Sequence, residues 1–329
     1  TAYEIRNCDW SSDVCSSDLK ILINHMKCDF CENPVVYTRK YSGQKLCSEC
    51  FSNSIVRKTA KTISKHKMIN NGDLVAVGVS GGKDSLALLK IIHEMSKNHN
   101  FKIEAITIDE GIPGYRNEAL EIVKNFCSEL EIKFRVFAYK DLFDLSLSEA
   151  LELRDDEKSS SCSICGTLRR RALDHAAKEI GANVIATGHN LDDMLQTFLI
   201  NMLSGDTNKI GWMDPDNSGS SIRKIKPFCE IYESEIVFYA FTNNIPFQSE
   251  PCPHMNEGIR TEIREFMNLL EKQHSGIKNN FYQSVLCVSN IVKESNYKEK
   301  VKCQNCGNEC TGKLCSVCTT LLKLKEKQT

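Results

Sequence analysis

The residues best suited to chemistry in this chain fall into two groups: a glycine-rich loop carrying a lysine, and cysteines spaced in pairs. The loop is Ser80-Gly81-Gly82-Lys83-Asp84-Ser85, between an apolar run at 73–79 and another at 86–95. A strand–turn–helix at that point suits a bound phosphate. Glycines let the backbone approach the anion, and unpaired N–H groups at a helix start face it. Val79 leads into the loop, Ser80 and Ser85 offer hydroxyl donors, and Lys83 offers a counter-charge. The spacing is not that of the nucleotide loop that places four residues between its glycines. An ordinary glycine-rich turn is the plain alternative, and the strand before and helix after favour the anion loop.

Of 17 cysteines, ten stand in Cys-x-x-Cys pairs. In a 329-residue chain with no visible secretory leader, this points to metal rather than disulfides. Cys28, Cys31, Cys47 and Cys50 have the spacing of a four-thiolate zinc site, and so do Cys303, Cys306, Cys315 and Cys318. Cys310 is the odd residue between the last two pairs. Closed tetrahedral thiolate sites are structural, and modules this small draw their folding energy from the metal. Reduced thiols in disordered tails are the alternative. The fifth pair, Cys162 and Cys165, admits a redox dithiol, a persulfide carrier, part of a zinc site, or iron–sulfur ligation. Cys252, in Glu250-Pro251-Cys252-Pro253, is the first candidate to join that pair, and Cys229 is its rival. Cys127, Cys229 and Cys287 otherwise read as buried or half-buried thiols.

These groups need a frame. Strand-like runs at 73–79, 102–109, 133–139 and 183–188 alternate with helical runs at 86–95, 117–130, 164–180 and 191–203. The alternation predicts an α/β fold: a parallel sheet covered on both faces, with ligands at the carboxyl ends of the strands. Gly188-His189-Asn190-Leu191-Asp192-Asp193 lies at such an end. Asp84 and Asp193 are the candidate carboxylates for a metal, with Asp193 the more catalytic. Asp192 reads as a helix N-terminal acid favoured by the dipole. Further along, 52–70 reads as a helix entering the domain, 205–221 as a loop, 221–231 as a basic strand-like run, and 233–244 and 259–274 as helices.

Arg169, Arg170 and Arg171 form one basic group, and Arg223, Lys224 and Lys226 a second. Both can meet nucleic-acid phosphates, and a solvated face is the plain alternative for each. The net charge of −1 does not exclude this, because acids elsewhere hide a local basic face. No run approaches the roughly 20 apolar residues that span a bilayer, so a cytoplasmic, membrane-free protein is expected. Residues 1–25 show neither period, and CDWSSDVCSSDL resembles a translated sequencing adapter. Cys8 and Cys15 are therefore set aside, and Met26 is taken as the native start. The expected organisation is a non-native or disordered leader (1–25), a zinc module (26–57), a catalytic domain (58–275), a linker or helix (276–300), and a second zinc module (301–329).

The loop at 80–85 resembles the PP-loop of the adenine nucleotide α-hydrolase-like enzymes, which split ATP between its α- and β-phosphates. Combined with Cys162-x-x-Cys165-Gly166-Thr167-Leu168-Arg169, Gly188–Asp193 and Cys252, it makes nearly the whole chain from Met26 resemble the tRNA 2-thiolation family, the TtuA/NcsA group. The resemblance implies a Rossmann-like PP-loop domain flanked by small N- and C-terminal zinc modules. It implies ATP and Mg²⁺ held by Val79–Ser85, Ile106, Ile108, Arg169, Gly188 and Asp193. Cys162, Cys165 and Cys252 would ligate a 4Fe–4S cluster with one open iron for sulfide. Lys83, Asp84, Asp193 and those cysteines would be catalytic, alongside two structural Zn²⁺.

The substrate implied is a tRNA uridine. Abundant thermolabile Asn and Cys favour the wobble position over the T-loop position of thermophiles. The sulfur donor would be a ubiquitin-like thiocarboxylate protein or free sulfide, and the assembly a homodimer. Cytidine 2-thiolation and lysidine synthesis are the alternatives on the same fold. A non-catalytic zinc RNA-binding protein is the alternative from another class, and the intact loop speaks against it.

Overall fold

In the computed structural model, residues 26–154, 160–213, 215, 222–254, 259–295 and 301–326 are described. The leader, with Cys8 and Cys15, and most of the expected loop after 213 lie outside them. The described chain opens with an antiparallel hairpin, β1 (Tyr37–Arg39) and β2 (Gln44–Leu46), followed by α1 (Ser48–Lys65). Cys47 is the N-cap of α1, its thiol accepting from the Cys50 backbone N–H. The helix therefore starts on a Cys-x-x-Cys pair and runs unbroken through the expected boundary at 57 and 58.

A five-stranded, all-parallel sheet forms the centre. Its strands are β3 (Leu74–Gly78), β4 (Lys102–Asp109), β5 (Phe134–Ala138), β6 (Val184–Thr187) and β7 (Arg223–Ile225). Their spatial order is β5-β4-β3-β6-β7. Val75, Ala76 and Val77 are wholly buried, as expected of a strand covered on both faces. The covering helices include α2 (Lys83–Ser96), α3 (Arg116–Glu129), the short α4 (Tyr139–Phe143) and α5 (Leu147–Glu152), then α6 (Ser161–Glu179) and α7 (Leu191–Leu203). Winding proceeds one way from β3 to β5 and the other way from β6 to β7. The switch point, where a ligand crevice opens, lies between the ends of β3 and β6.

The remaining elements are α8 (Thr207–Ile210), a 3₁₀ turn (Gly211–Met213), α9 (Glu233–Thr242), α10 (Arg260–Gln273), α11 (Ile277–Ser295), a two-stranded pair β8 (Val301–Lys302) and β9 (Glu309–Cys310), and α12 (Ser316–Lys325). The segment expected as linker or helix is the long helix α11. It buries Tyr282 and Val285, and Ser289 donates to the Ile210 carbonyl, so it belongs to the main body. Two apolar cores result. The larger joins α2, α7, α9 and the N-terminal cysteines Cys28 and Cys47. The smaller joins α6, Tyr139, Cys165 and the C-terminal cysteines Cys303, Cys315 and Cys318. Among the described residues, no helix is long and apolar enough to cross a membrane.

Candidate active site and metal centres

The loop after β3 is shaped by close backbone packing. Gly81 sits at φ 88°, and a Cβ there would lie 2.8 Å from the Ala119 Cβ of α3. Ser85 Oγ accepts from Ser80 N (3.1 Å) and donates to the Gly82 carbonyl (2.9 Å). Arg116 Nη1 donates to the Ser80 carbonyl (2.9 Å), and Gln248 N donates to the Gly81 carbonyl (3.0 Å). Lys83 Nζ pairs with Asp84 (2.9 Å) and with Glu233 (2.8 Å) at the start of α9. Burial lowers its pKa, but the two carboxylates outweigh that and hold it above the usual lysine range.

The loop after β6 lies directly on the first. A Cβ on Gly188 would come within 2.8 Å of the Asp84 carbonyl carbon, so only glycine permits this approach. Asn190 Nδ2 donates to Asp84 Oδ1 (3.1 Å). Asn190 also caps α7: its Oδ1 accepts from Asp193 N (3.0 Å), while Asp193 Oδ2 accepts from Asn190 N (3.2 Å). Burial, then the nearby Asp84, pushes the Asp193 carboxyl up to about 6. Asp192 and Asp193 both lie in the first turn of α7, and Asp193 is the one that completes the Asn190 capping box. Asp192 is buried in a pair with Lys278 of α11 and accepts from Glu233 N (2.8 Å), because its place in the first turn faces the core. His189 accepts or donates at Thr187 Oγ1 (2.8 Å). Crowding of its ring, then the charges of Lys226, Arg260, Arg169 and Arg170, push its pKa down to about 3. Its ring stands among these basic side chains.

The mid-chain cysteines border the same crevice. Cys162 and Cys165 occupy the first turns of α6, where Ser160 is the N-cap. Cys165 is buried, Cys162 exposed and Cys252 half-buried against the smaller core. Cys162 Sγ lies 3.8 Å from the His254 carbonyl, two residues beyond Cys252. Arg169 Nη2 donates to Cys165 Sγ (3.1 Å), and Tyr139 OH donates to the Cys165 carbonyl (2.9 Å). The rival Cys229 is fully buried in the larger core, and burial pushes its thiol up to about 11. Cys127 is likewise buried, whereas Cys287 is exposed.

The terminal cysteines form two compact groups. Cys28, Cys31, Cys47 and Cys50 have all their sulfurs within 4.8 Å of one another, and so do Cys303, Cys306, Cys315 and Cys318. A tetrahedral zinc with 2.3 Å bonds separates its sulfurs by about 3.8 Å. Cys31–Cys47 at 3.5 Å, Cys31–Cys50 at 3.6 Å and Cys306–Cys315 at 3.7 Å match that edge. Cys310 points away, to the Gly312 carbonyl. Among the described residues, Cys162, Cys165 and Cys252 do not meet that mutual spacing.

A PP-loop domain family matches residues 52–270. The N-terminal LIM domain of the 2-thiouridine synthetase TtuA matches residues 27–52. A protein described as a probable sulfurtransferase from Methanocaldococcus jannaschii is 37% identical over 90% of this chain and 87% of its own length. The cytoplasmic tRNA 2-thiolation protein 1 of Saccharomyces cerevisiae is 31% identical over 96% of this chain and 91% of its own. The chain belongs to the tRNA 2-thiolation branch of the PP-loop family. The solved U34-tRNA thiolase NcsA from Methanococcus maripaludis, with its [4Fe-4S] cluster, superposes with a TM-score of 0.78 at 31% identity, over 90% of this chain and 95% of that one.

Within this PP-loop protein the expected residues divide. Ser80–Ser85 meets Gly188 and, through Asn190, Asp193, while Arg169 contacts Cys165 and is tied to the loop through Glu110 and Arg116. Val79, Ile106 and Ile108 are buried beneath it. The carbonyls of Ile106 and Ile108 accept from Val79 N and Arg116 Nη2, so these isoleucines present little side-chain surface to a nucleotide. The two basic groups come apart. Arg223 and Lys224 pair with Asp73 and Asp174, with Arg223 at the amino end of the sheet, while Lys226 reaches the cleft. Arg169 faces the cleft, whereas Arg171 turns to the C-terminal cysteines. Four neighbours of the site escaped the sequence reading: Glu110, Arg116, Glu233 and Gln248. Of these, Glu110 alone carries a signal, as an acid just past a strand end.

Proposed function

We propose that this chain is an ATP-dependent tRNA uridine 2-sulfurtransferase acting at the wobble position in the cytoplasm. The observation that carries the reading is the shared crevice at the β3–β6 switch point. Contacts there run from the phosphate loop through Arg116, Glu110 and Arg169 to the Cys165 sulfur, and from Asp84 through Asn190 to the start of α7. The relatives' names support tRNA as substrate, and the neighbour's U34 supports the position.

A uracil C2 oxygen is a poor leaving group. It attacks the α-phosphorus of ATP, pyrophosphate departs, and the base becomes an adenylate. Backbone N–H groups of Ser80–Ser85 and the charged Lys83 bind the phosphates and neutralise the leaving charge. Asp84 and Asp193 would hold Mg²⁺ on those phosphates. His189 would accept or donate one hydrogen bond at the base. Sulfide then forms a bond to C2, and AMP leaves with the oxygen. A 4Fe–4S cluster held by Cys162, Cys165 and Cys252 would supply one iron without a protein thiolate, where sulfide can bind. Arg169 steadies the Cys165 sulfur by its hydrogen bond. The terminal four-cysteine groups would each take a structural Zn²⁺.

Anaerobically prepared protein with ATP, Mg²⁺, sulfide and unthiolated tRNA should release pyrophosphate and yield 2-thiouridine at position 34 by nuclease digestion and mass spectrometry. Pyrophosphate without a thionucleoside, or a thionucleoside at a cytidine or in the T-loop, would overturn the assignment.

A further inference from the structure

The acid one residue past β4 joins the two halves of the crevice. Glu110 is 5% exposed, and its two carboxylate oxygens face different arginines. Oε2 lies 2.9 Å from Arg116 Nε, and Oε1 lies 2.9 Å from Arg169 Nε. Each arginine has a second commitment. Arg116 donates to the Ser80 carbonyl (2.9 Å), the Ile108 carbonyl (2.7 Å) and Thr107 Oγ1 (3.1 Å). Arg169 donates to Cys165 Sγ at 3.1 Å. A path of ion pairs and hydrogen bonds thus runs from the phosphate loop through Arg116, Glu110 and Arg169 to the cysteine sulfur. The backbone under it is held as well: the Glu110 carbonyl accepts from Leu147 N (2.7 Å).

Burying a carboxylate between two guanidiniums carries a desolvation cost that an apolar core would avoid. Without the acid, two cations would face each other across the crevice. We propose that Glu110 is a positioning residue for thiolation: it sets the Cys165 sulfur against the nucleotide held by the phosphate loop, so activation and sulfur delivery meet at one carbon. This rests on the sulfurtransferase reading above.

When sulfur is misplaced, water attacks the adenylated C2 instead. The C2–O bond to the phosphate breaks, and uridine and AMP are regenerated. Pyrophosphate release then outruns thiolation. The test measures both products in one reaction, with the full-length, cluster-loaded protein, for wild type, Glu110→Gln and Glu110→Asp. Gln keeps the shape but loses the charge. Asp keeps the charge but is too short by one methylene to reach both arginines. The thionucleoside formed per pyrophosphate should fall about 10- to 100-fold in both variants, with a smaller fall in pyrophosphate release. An unchanged ratio, or loss of both products in step with a lowered melting temperature, overturns the role of Glu110. If Gln fails to fold, Asp decides by the same ratio. If wild type itself makes pyrophosphate and no thionucleoside, the sulfurtransferase reading falls and this inference with it.

Discussion

The two four-cysteine modules are alike in sequence and differ in how they are attached. The N-terminal one is clasped largely by side chains other than its cysteines. Arg39 of β1 is buried 2.6 Å from Glu235 of α9, which also accepts from Tyr41 OH (3.0 Å) and Lys58 (3.2 Å). Tyr37, Phe51 and Phe238 pack as a ring trio with centroids 4.5 to 4.9 Å apart. The C-terminal module is held by its sulfurs. Arg171 of α6 donates to Cys306 Sγ (3.4 Å) and Cys315 Sγ (3.3 Å), and Lys178 donates to Asn308 (3.4 Å). Against its desolvation, donors from Asn308 and Arg171 hold the Cys306 thiol down at about 5. The lesson is one of transmission. If each group holds a metal, its loss should leave the clasp of the first module in place and, at the second, loosen the helix that bears Cys162 and Cys165.

The strongest way to break this contrast is mild chelation followed by hydrogen exchange and limited proteolysis. Structural zinc supplies roughly 10–16 kcal/mol to small modules, so residues 301–326 should open entirely. The first turns of α6 should lose protection while α1 keeps its own. Equal loss at both ends would erase the distinction. Next in size is Glu235→Ala, which strands the buried Arg39 and should cost about 3–5 kcal/mol in denaturant unfolding. A cost under 1 kcal/mol would show that the ring trio alone holds the N-terminal module.

The pH response belongs to neither module. Asp193 is held up at about 6 against its ordinary 3.8, so folded protein binds a proton there that the unfolded chain has already lost. Stability of the metal- and nucleotide-free protein should therefore be highest below that window. It should fall by up to about 3 kcal/mol as pH rises from the ordinary 3.8 through about 6. Asp193→Asn should abolish that slope, and a slope that survives in the variant would assign it elsewhere. Smallest is Arg171→Gln: about 1 kcal/mol, confined to the C-terminal module. A matching loss around α1 would contradict local docking.

Periodic elements were legible. β4 falls on 102–109 and α7 on 191–203, as expected, because a continuous buried-strand run and the Asn190 cap are written in neighbouring residues. Helix α11 was legible only as one of two options, since its polar face masks Tyr282 and Val285. Adjacent basic residues were misleading as groups. Arg169, Arg170 and Arg171 leave a helix about 100° apart, and alternate residues of β7 face opposite sides of the sheet. Arg116 and Glu233 are single charges with no spacing to mark them, and Glu110 is marked only by its place just past a strand end.

Sequence alone determined the anion loop, the strand–helix alternation and the two four-cysteine groups, because each is written in residue types at characteristic spacings along the chain. Tertiary structure alone decided that β3 lies between β4 and β6, which lays Gly188 against Asp84, and that Glu110 is shared between Arg116 and Arg169. Charge pairing in a crevice depends on which distant segments the sheet order brings within about 3 Å, and no local pattern encodes that distance.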